Sequence, residues 1–75
     1  MAAPQPVEFV LRGEFVELCN LLKLTDLAQS GGQGKVMVAD GMVKVDGKVE
    51  TRKTAKIRAG QLVECFGQTI RVVQE

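Results

Sequence analysis

The residues best suited to chemistry in this 75-residue sequence are the cations of its middle third. Between Gly31 and Arg58 there are seven basic residues and three acidic ones, a local net charge of +4, whereas the whole chain carries only +1. Four of these cations fall within residues 52–58. A localised positive field attracts phosphates or an acidic partner, so we expect this segment to form a binding surface.

The sequence SGGQGK at residues 30–35 has the composition of a phosphate-binding loop. Its spacing is wrong for a nucleotide-binding protein, because Gln29 stands where the first glycine of the Walker pattern is required. Val36 also replaces the Ser or Thr whose hydroxyl would bind magnesium. We therefore do not expect a nucleotide site in this loop.

Helix signals give the same glycines another interpretation. Ser30 followed three residues later by Gln33 fits a capping box. The apolar residues after Lys35 form the body of a helix over residues 31–40, and Gly41 is placed where such a helix ends.

The start of this second helix is a candidate phosphate contact. The N–H groups of Gly31 and Gly32 have no partner within the helix, and free amides together with the helix dipole attract anions. Glycine allows the ligand to approach the backbone closely. Lys35 lies one turn along and is expected to reach the same anion.

Catalytic and metal sites are hard to build from this composition. The chain has no His, and Cys19 and Cys65 are far apart in the sequence. We therefore expect no metal ligands, catalytic residues, cofactor or small-molecule substrate, and the protein is not expected to be an enzyme. The N-terminus lacks the features of a signal peptide, and no apolar run approaches the ~20 residues that span a bilayer. These features favour a cytoplasmic protein without a membrane partner.

The chain is short enough to form one domain. We expect a flexible leader at residues 1–6 and a single domain over residues 7–75. Residues 7–12, with the sequence VEFVLR, favour a first strand. The exposed edge of this strand near Val7 could pair with a second copy of the chain.

Residues 14–23 predict the first helix. Its apolar face is formed by residues spaced i, i+3, i+4 and i+7, which are Phe15, Leu18, Cys19 and Leu22. Glu14 and Glu17 are expected in its first turn, where they suit the positive end of the dipole.

Short strands are predicted after the second helix, so the fold class is α+β with a leading strand, two helices and a short-stranded sheet. Asp46-Gly47 between alternating residues indicates a hairpin turn. Further strands are expected at residues 56–58, 62–66 and 69–73. The apolar residues expected to pack with the first helix are Val36, Val38, Val43, Val45, Leu62 and Val63.

The order of these features resembles the S-four RNA-binding domain, the αL-motif domain of small-subunit ribosomal protein four. That family has a Ser before a basic helix, a Gly that ends the helix, Val-x-Val-Asn-Gly, a basic run, and Gly-Asp before an apolar strand. The matching residues are Ser30, Lys35, Gly41, Val43, Val45, Asp46, Gly47, Arg52, Lys53 and Gly60. The similarity covers residues 15–66 and is most like the bacterial YbcJ-like group.

The resemblance implies two helices in an αL motif that form one RNA-binding face with the following turn. By position it places RNA contacts at Gly31, Gly32, Gln33, Lys35, Lys44, Lys48, Arg52, Lys53 and Lys56. The basic run itself adds Arg58 as a candidate phosphate contact.

Four positions depart from the family pattern. Gly31 stands where the family often has Arg, Gly34 where Ala is common, Asp46 in place of Asn, and Gln61 in place of the Asp after Gly60. The missing Arg shifts the expected phosphate contact to backbone amides and Lys35.

These observations lead to the hypothesis of a non-catalytic RNA-binding protein of the bacterial cytoplasm, with structured RNA such as ribosomal RNA or tRNA as its partner and a ribosome-associated role. The chain has no Trp or Tyr and only three Phe, so it is expected to recognise RNA shape through phosphates and sugars rather than by stacking on bases. The residues alone leave two alternatives open, which are a protein-interaction module for an acidic partner and a DNA-binding protein.

Overall fold

The computed structural model describes residues 6–75, so the expected leader lies outside them except for the exposed Pro6. Within this range there are seven strands and two helices. The strands are β1 (Val7–Leu11), β2 (Val16–Glu17), β3 (Val43–Val45), β4 (Lys48–Val49), β5 (Lys56–Ile57), β6 (Leu62–Cys65) and β7 (Gln68–Gln74). The helices, α1 (Leu18–Leu24) and α2 (Gly31–Ala39), lie between β2 and β3 in the chain. The predicted α+β class is confirmed.

The main sheet has five strands in the order β1-β7-β6-β3-β4. β1 runs parallel to β7, with Val7 opposite Ile70, whereas the other neighbours are antiparallel. β2 and β5 form a separate two-stranded sheet. β1 therefore forms one edge of the main sheet, as predicted.

The first helix begins later than the sequence predicts. Residues 16–17, expected in its first turn, are extended and pair with β5, so that Val16 lies opposite Ile57. Phe15, expected on the apolar helix face, precedes this strand and is 38% exposed. The prediction was wrong because a pairing with residues distant in the sequence overrode a helical apolar spacing. Helical spacing applies only from Leu18 onward.

The first helix also has an unusual N-terminus. Glu17 occupies the cap position, but its side chain makes no capping hydrogen bond. Instead, the Leu18 N–H donates to the Ala55 carbonyl at 2.9 Å, and the Cys19 N–H donates to the Lys53 carbonyl at 3.1 Å. Two of the free amides of this helix end are thus satisfied by the segment that carries the basic run.

The second helix begins and ends as predicted. The Gln33 N–H donates to Ser30 Oγ at 3.1 Å, and the Gln33 side chain in turn accepts from the Gln29 N–H. In a standard capping box the Gln33 side chain would accept from the Ser30 N–H. Here it accepts from the N–H of the preceding residue, so the pair is a capping box shifted by one residue. The helix ends before Gly41, whose φ of 75° is the left-handed conformation common after a helix.

The core lies between the helices and one face of the main sheet. It contains Leu18, Leu21, Leu22, Met37, Val38, Val43, Val63, Ile70 and Val72, all of them buried. Two residues expected in this core are exposed, because Val36 precedes the buried pair of α2 and Leu62 alternates with the inward-facing Val63. Val45 is half-buried.

The two helix backbones are in close contact at Gly34, which is buried. A Cβ added at this position would lie 2.6 Å from the carbonyl oxygen of Cys19, a distance that the two backbones do not permit. Gly34 thus sets the spacing between α1 and α2. This contact gives a physical reason for glycine where the resembling family often has Ala.

We expect Gly34→Val to lower the free energy of unfolding by about 1–3 kcal/mol, because the added side chain must displace one helix backbone. Urea unfolding followed by circular dichroism measures this change. Gly31→Ala is the matched control, since nothing lies within 4 Å of a Cβ built there. The control is expected to keep or slightly raise the stability. An unchanged stability for Gly34→Val would contradict the tight helix contact.

The β3–β4 hairpin turns at Asp46-Gly47, where φ values of 51° and 83° fit a type I′ turn, as the sequence predicts. The Asp46 carboxylate accepts from the Leu62 N–H at 3.0 Å and from Gln61 Nε2 at 3.3 Å. Gln61 Oε1 accepts from the Arg58 N–H at 2.7 Å. Two of the departures from the family pattern, Asp46 and Gln61, are therefore partners of each other.

This pairing predicts energetic coupling between the two positions. In Asp46→Asn, the new amide NH₂ group would face the NH₂ group of Gln61, so two donors would meet. In Gln61→Asp, the new carboxylate would face that of Asp46, so two acceptors of like charge would meet. The double variant restores one acceptor and one donor. We expect a double-mutant cycle to give a coupling of about 0.5–1 kcal/mol in favour of the two matched pairs. Additive effects in urea unfolding would contradict a direct interaction.

Candidate nucleic-acid interface

The start of α2 presents the groups that the sequence singles out for phosphate contact. Gly31 is half-buried, whereas Gly32, Gln33 and Lys35 are exposed. The Ser30 cap uses the Gln33 N–H but not those of Gly31 or Gly32, which find no acceptor within residues 6–75. No acidic residue lies in the first turn, so the positive end of the helix dipole is not neutralised there.

The basic segment lies against the same part of the fold. Gly34 packs on the Cys19 backbone, and the Cys19 N–H in turn donates to the Lys53 carbonyl. The α2 start and residues 53–55 thus each contact the first turn of α1. Both Lys35 and Lys53 are exposed, and the chain segments that carry these two predicted contacts both pack against Cys19, although the residues are 18 positions apart in the sequence.

The Arg52 side chain is exposed, but it is paired with Glu50. Its Nη2 lies 2.8 Å from Glu50 Oε1, and its Nε lies 3.2 Å from Glu50 Oε2. The Arg52 backbone N–H also donates to Glu50 Oε2 at 3.1 Å. These hydrogen bonds lower the pKa of the Glu50 carboxyl from 4.5 to about 2. The bonds from the Arg52 side chain are the largest cause, and the bond from its backbone is the next.

Lys56 is also held by a neighbour. Its Nζ lies 5.0 Å from the centroid of the Phe15 ring, within the range of a cation–π interaction. Between these two held cations is a concavity of about 340 Å³. It is lined by Arg52, Thr54, Ala55 and Lys56.

Three other predicted contacts have no such link to the α2 start. Lys44 alternates with the buried Val43 and lies on the sheet face away from the core, opposite Glu64 in the neighbouring strand. Lys48 lies on the outermost strand of the sheet. Arg58 is exposed and forms no ion pair within the part of the chain described here. These residues stay predictions that the contacts neither join to the interface nor exclude.

Sequence reasoning missed Glu50 and Phe15 as parts of this surface. The spacing of Glu50 two residues before Arg52 was an available signal, because such a carboxylate reaches both the side chain and the backbone of Arg52. Phe15 was assigned to a helix face and gave no comparable signal.

Three further features of residues 6–75 concern metal binding, membrane insertion and thiol reactivity. They contain no cluster of three or more His, Cys, Asp or Glu side chains that could hold a metal ion. Neither helix is long and apolar enough to cross a membrane. Cys19 and Cys65 are buried and unpaired by disulfide, and burial raises the pKa of the Cys65 thiol. A thiol in such surroundings is normally unreactive.

Comparison with known proteins decides the family. The family model of the S4 domain matches residues 9–73, which is most of the chain. The chain belongs to the S4 domain family. This family is the one that the order of Ser30, Gly41 and the Asp46-Gly47 turn resembles. The recognition from the sequence is confirmed.

Relatives of this S4 domain include YbcJ of Escherichia coli (strain K12), provisionally described as an RNA-binding protein. It is 57% identical over 58 residues, which cover 77% of this chain and 83% of that protein. YbcJ of Shigella flexneri, described as uncharacterized, has the same identity and coverage.

Solved structures agree with this assignment. The solution structure of E. coli YbcJ, described as having an αL motif involved in RNA binding, has a TM-score of 0.72 and 47% identity. The match covers 97% of this chain and 94% of that one. The 30S ribosomal protein S4e from Thermoplasma acidophilum has a TM-score of 0.58 and 26% identity, and covers 77% of this chain and 31% of its own.

The pairing of Glu50 with Arg52 predicts an acid-dependent loss of stability. Because the Glu50 pKa is lowered on folding, its contribution is complete above pH 4.5 and is lost as the pH falls toward 2. We expect the Glu50 carboxyl carbon to titrate near pH 2 in an NMR experiment. Glu50→Gln is expected to remove this part of the acid sensitivity. Titration of Glu50 near 4.5 would contradict the pairing.

Proposed function

We propose that residues 7–75 act as one unit that binds structured RNA without catalysing a reaction. The family assignment and the description of the E. coli relative as an RNA-binding protein support this function. The observation that carries the proposal is that the α2 start, with its free amides, and residues 53–55 of the basic run both contact the first turn of α1. We infer from this that their exposed amides and cations form one RNA-binding surface. Phosphates are the ligands that such groups bind best.

The proposed contacts are with the phosphates and sugars of a folded RNA. The single-stranded RNA modules that read bases use several exposed aromatic platforms. Here the chain has no Trp or Tyr, and one of its three Phe is occupied by Lys56. Recognition of RNA shape therefore fits the available side chains better than recognition of splayed bases.

We propose ribosomal RNA or tRNA in the bacterial cytoplasm as the partner class. The fold similarity to S4e, which is a 30S ribosomal protein, supports ribosomal RNA as the first of these to test. RNA that copurifies with the protein and is then sequenced, beside a charge-reversed variant, would identify the partner.

The proposed interface predicts that Lys35→Glu together with Lys53→Glu weakens RNA binding at least about tenfold, because two phosphate contacts become repulsive. The salt dependence of binding should also become shallower. Both side chains are exposed, so the circular dichroism spectrum is expected to stay unchanged. Electrophoretic mobility shift with bulk ribosomal RNA fragments and tRNA is the measurement.

Arg12→Glu together with Lys23→Glu is a matched control with the same change in net charge. Arg12 forms only an exposed ion pair with Glu75 at 3.2 Å, and Lys23 lies in the last turn of α1. Loss of binding in the control alone would place the interface elsewhere. Equal competition by duplex DNA of the same length would favour the DNA-binding alternative, and capture of an acidic protein without any RNA affinity would favour the protein-interaction alternative.

A further inference from the structure

Arg52 and Lys56 lie on either side of the concavity in residues 52–56. Each of these cations is oriented by a neighbouring residue that carries no positive charge. Glu50 holds Arg52 through its carboxylate, and Phe15 holds Lys56 through its ring. Exposed Arg and Lys side chains normally sample many rotamers, and fixing one of them at an interface has an entropic cost that weakens binding. A site whose cations are already oriented avoids much of this cost.

The geometry of Arg52 leaves one of its hydrogen-bonding edges open. A guanidinium has five N–H donors. Nε and Nη2 both donate to Glu50, which fills the side edge of the group. Within residues 6–75 no acceptor bonds Nη1, so the end of the guanidinium keeps a two-pronged set of donors. Such a fork matches two oxygens of one phosphate.

Glu50 does not add a competing negative charge at the mouth of this fork. Its side chain is only 19% exposed, whereas the Arg52 side chain is 80% exposed. The carboxylate oxygens accept from the side chain and the backbone of Arg52, so the negative group lies behind the cation it orients.

Lys56 and Thr54 complete the concavity. The β2–β5 pairing places Lys56 opposite Glu17 and fixes the backbone from which the Lys56 side chain leaves. The Phe15 ring then lies beneath the ammonium group. The Thr54 hydroxyl makes no hydrogen bond within the described part of the chain and can donate to an oxygen of a ligand.

We propose that the concavity lined by Arg52, Thr54 and Lys56 binds a phosphodiester group of RNA, and that Glu50 and Phe15 are positioning residues that orient its two cations. This inference rests on the proposed function and deepens it. With only four lining residues the concavity holds a ligand from one side. That suits a phosphate within a strand that is also held at α2, rather than a free phosphate ion.

Glu50→Gln gives the sharpest test, because positioning and simple electrostatics predict opposite signs. Removing a carboxylate near a polyanion should strengthen binding if only charge matters. If Glu50 orients Arg52, its loss should weaken binding by about two- to tenfold, the factor that corresponds to freeing one long side chain. The measurement is fluorescence anisotropy with an end-labelled synthetic RNA stem-loop. Glu64→Gln is the matched control, since Glu64 lies on the outer sheet face and forms no ion pair within residues 6–75.

A second variant shows whether Glu50 acts through Arg52. Arg52→Gln should weaken binding and make its salt dependence shallower by roughly one phosphate contact. Adding Glu50→Gln to Arg52→Gln should then cause no further loss. Additive losses would show that Glu50 contributes in another way and would overturn its positioning role.

Phe15 is tested by keeping its bulk and removing its ring. Phe15→Leu should weaken RNA binding roughly twofold through loss of the cation–π contact, and Phe15→Trp should restore it. Thermal unfolding of the same variants checks that the fold is kept. Equal binding by the Leu and Trp variants would overturn the role of the ring.

The outcomes separate this inference from the proposed function. If Lys35→Glu with Lys53→Glu abolishes RNA binding while Arg52→Gln and Glu50→Gln leave it unchanged, the protein binds RNA and the phosphate pocket is wrong. If the unaltered protein binds no RNA, both proposals fail. Inorganic phosphate and adenosine monophosphate serve as competitors, and displacement of the stem-loop at low concentrations of either would overturn the assignment to a phosphodiester within a strand.

Discussion

The arrangement of this surface depends on the contact between the Gly34 backbone of α2 and the Cys19 carbonyl of α1. Because this contact leaves no room for a side chain, it fixes how far the start of α2 lies from the first turn of α1. The Leu18 and Cys19 N–H groups of that turn donate to the carbonyls of Ala55 and Lys53. The spacing between the two helix backbones therefore influences where the amides and cations that we propose to bind phosphate lie relative to each other.

A consequence is that the basic segment is part of the fold rather than an appendage. Most helices satisfy their first N–H groups with a side-chain cap or water, but α1 uses backbone carbonyls of residues 53 and 55. The same residues turn their side chains in different directions, since Ala55 is buried and Lys53 is exposed. Detaching this segment would expose Ala55 and leave helix amides without acceptors. Because both changes are unfavourable, the segment and its cations stay in place.

The sequence predicted best the features that short stretches of backbone determine. The Ser30 cap, the Gly41 end of α2 and the Asp46-Gly47 turn each depend on a few adjacent residues, and all three are confirmed. The start of α1 could not be found in this way, because Val16 is extended through its pairing with Ile57. The bond between Gln61 and Asp46 likewise joins positions 15 residues apart, so each was visible in the sequence only as a separate departure from the family pattern.

The small net charge of +1 limits how such a protein can bind a polyanion. Long-range attraction depends on the overall field and falls off within about 8 Å at physiological salt. Affinity must then come from groups that meet the phosphates at short range, and here their orientation matters more than their number. In the proposed pocket, an Arg held by Glu50 and a Lys held over Phe15 would contribute more per charge than mobile side chains. A nearly neutral domain can in this way discriminate a particular RNA shape from polyanions in general.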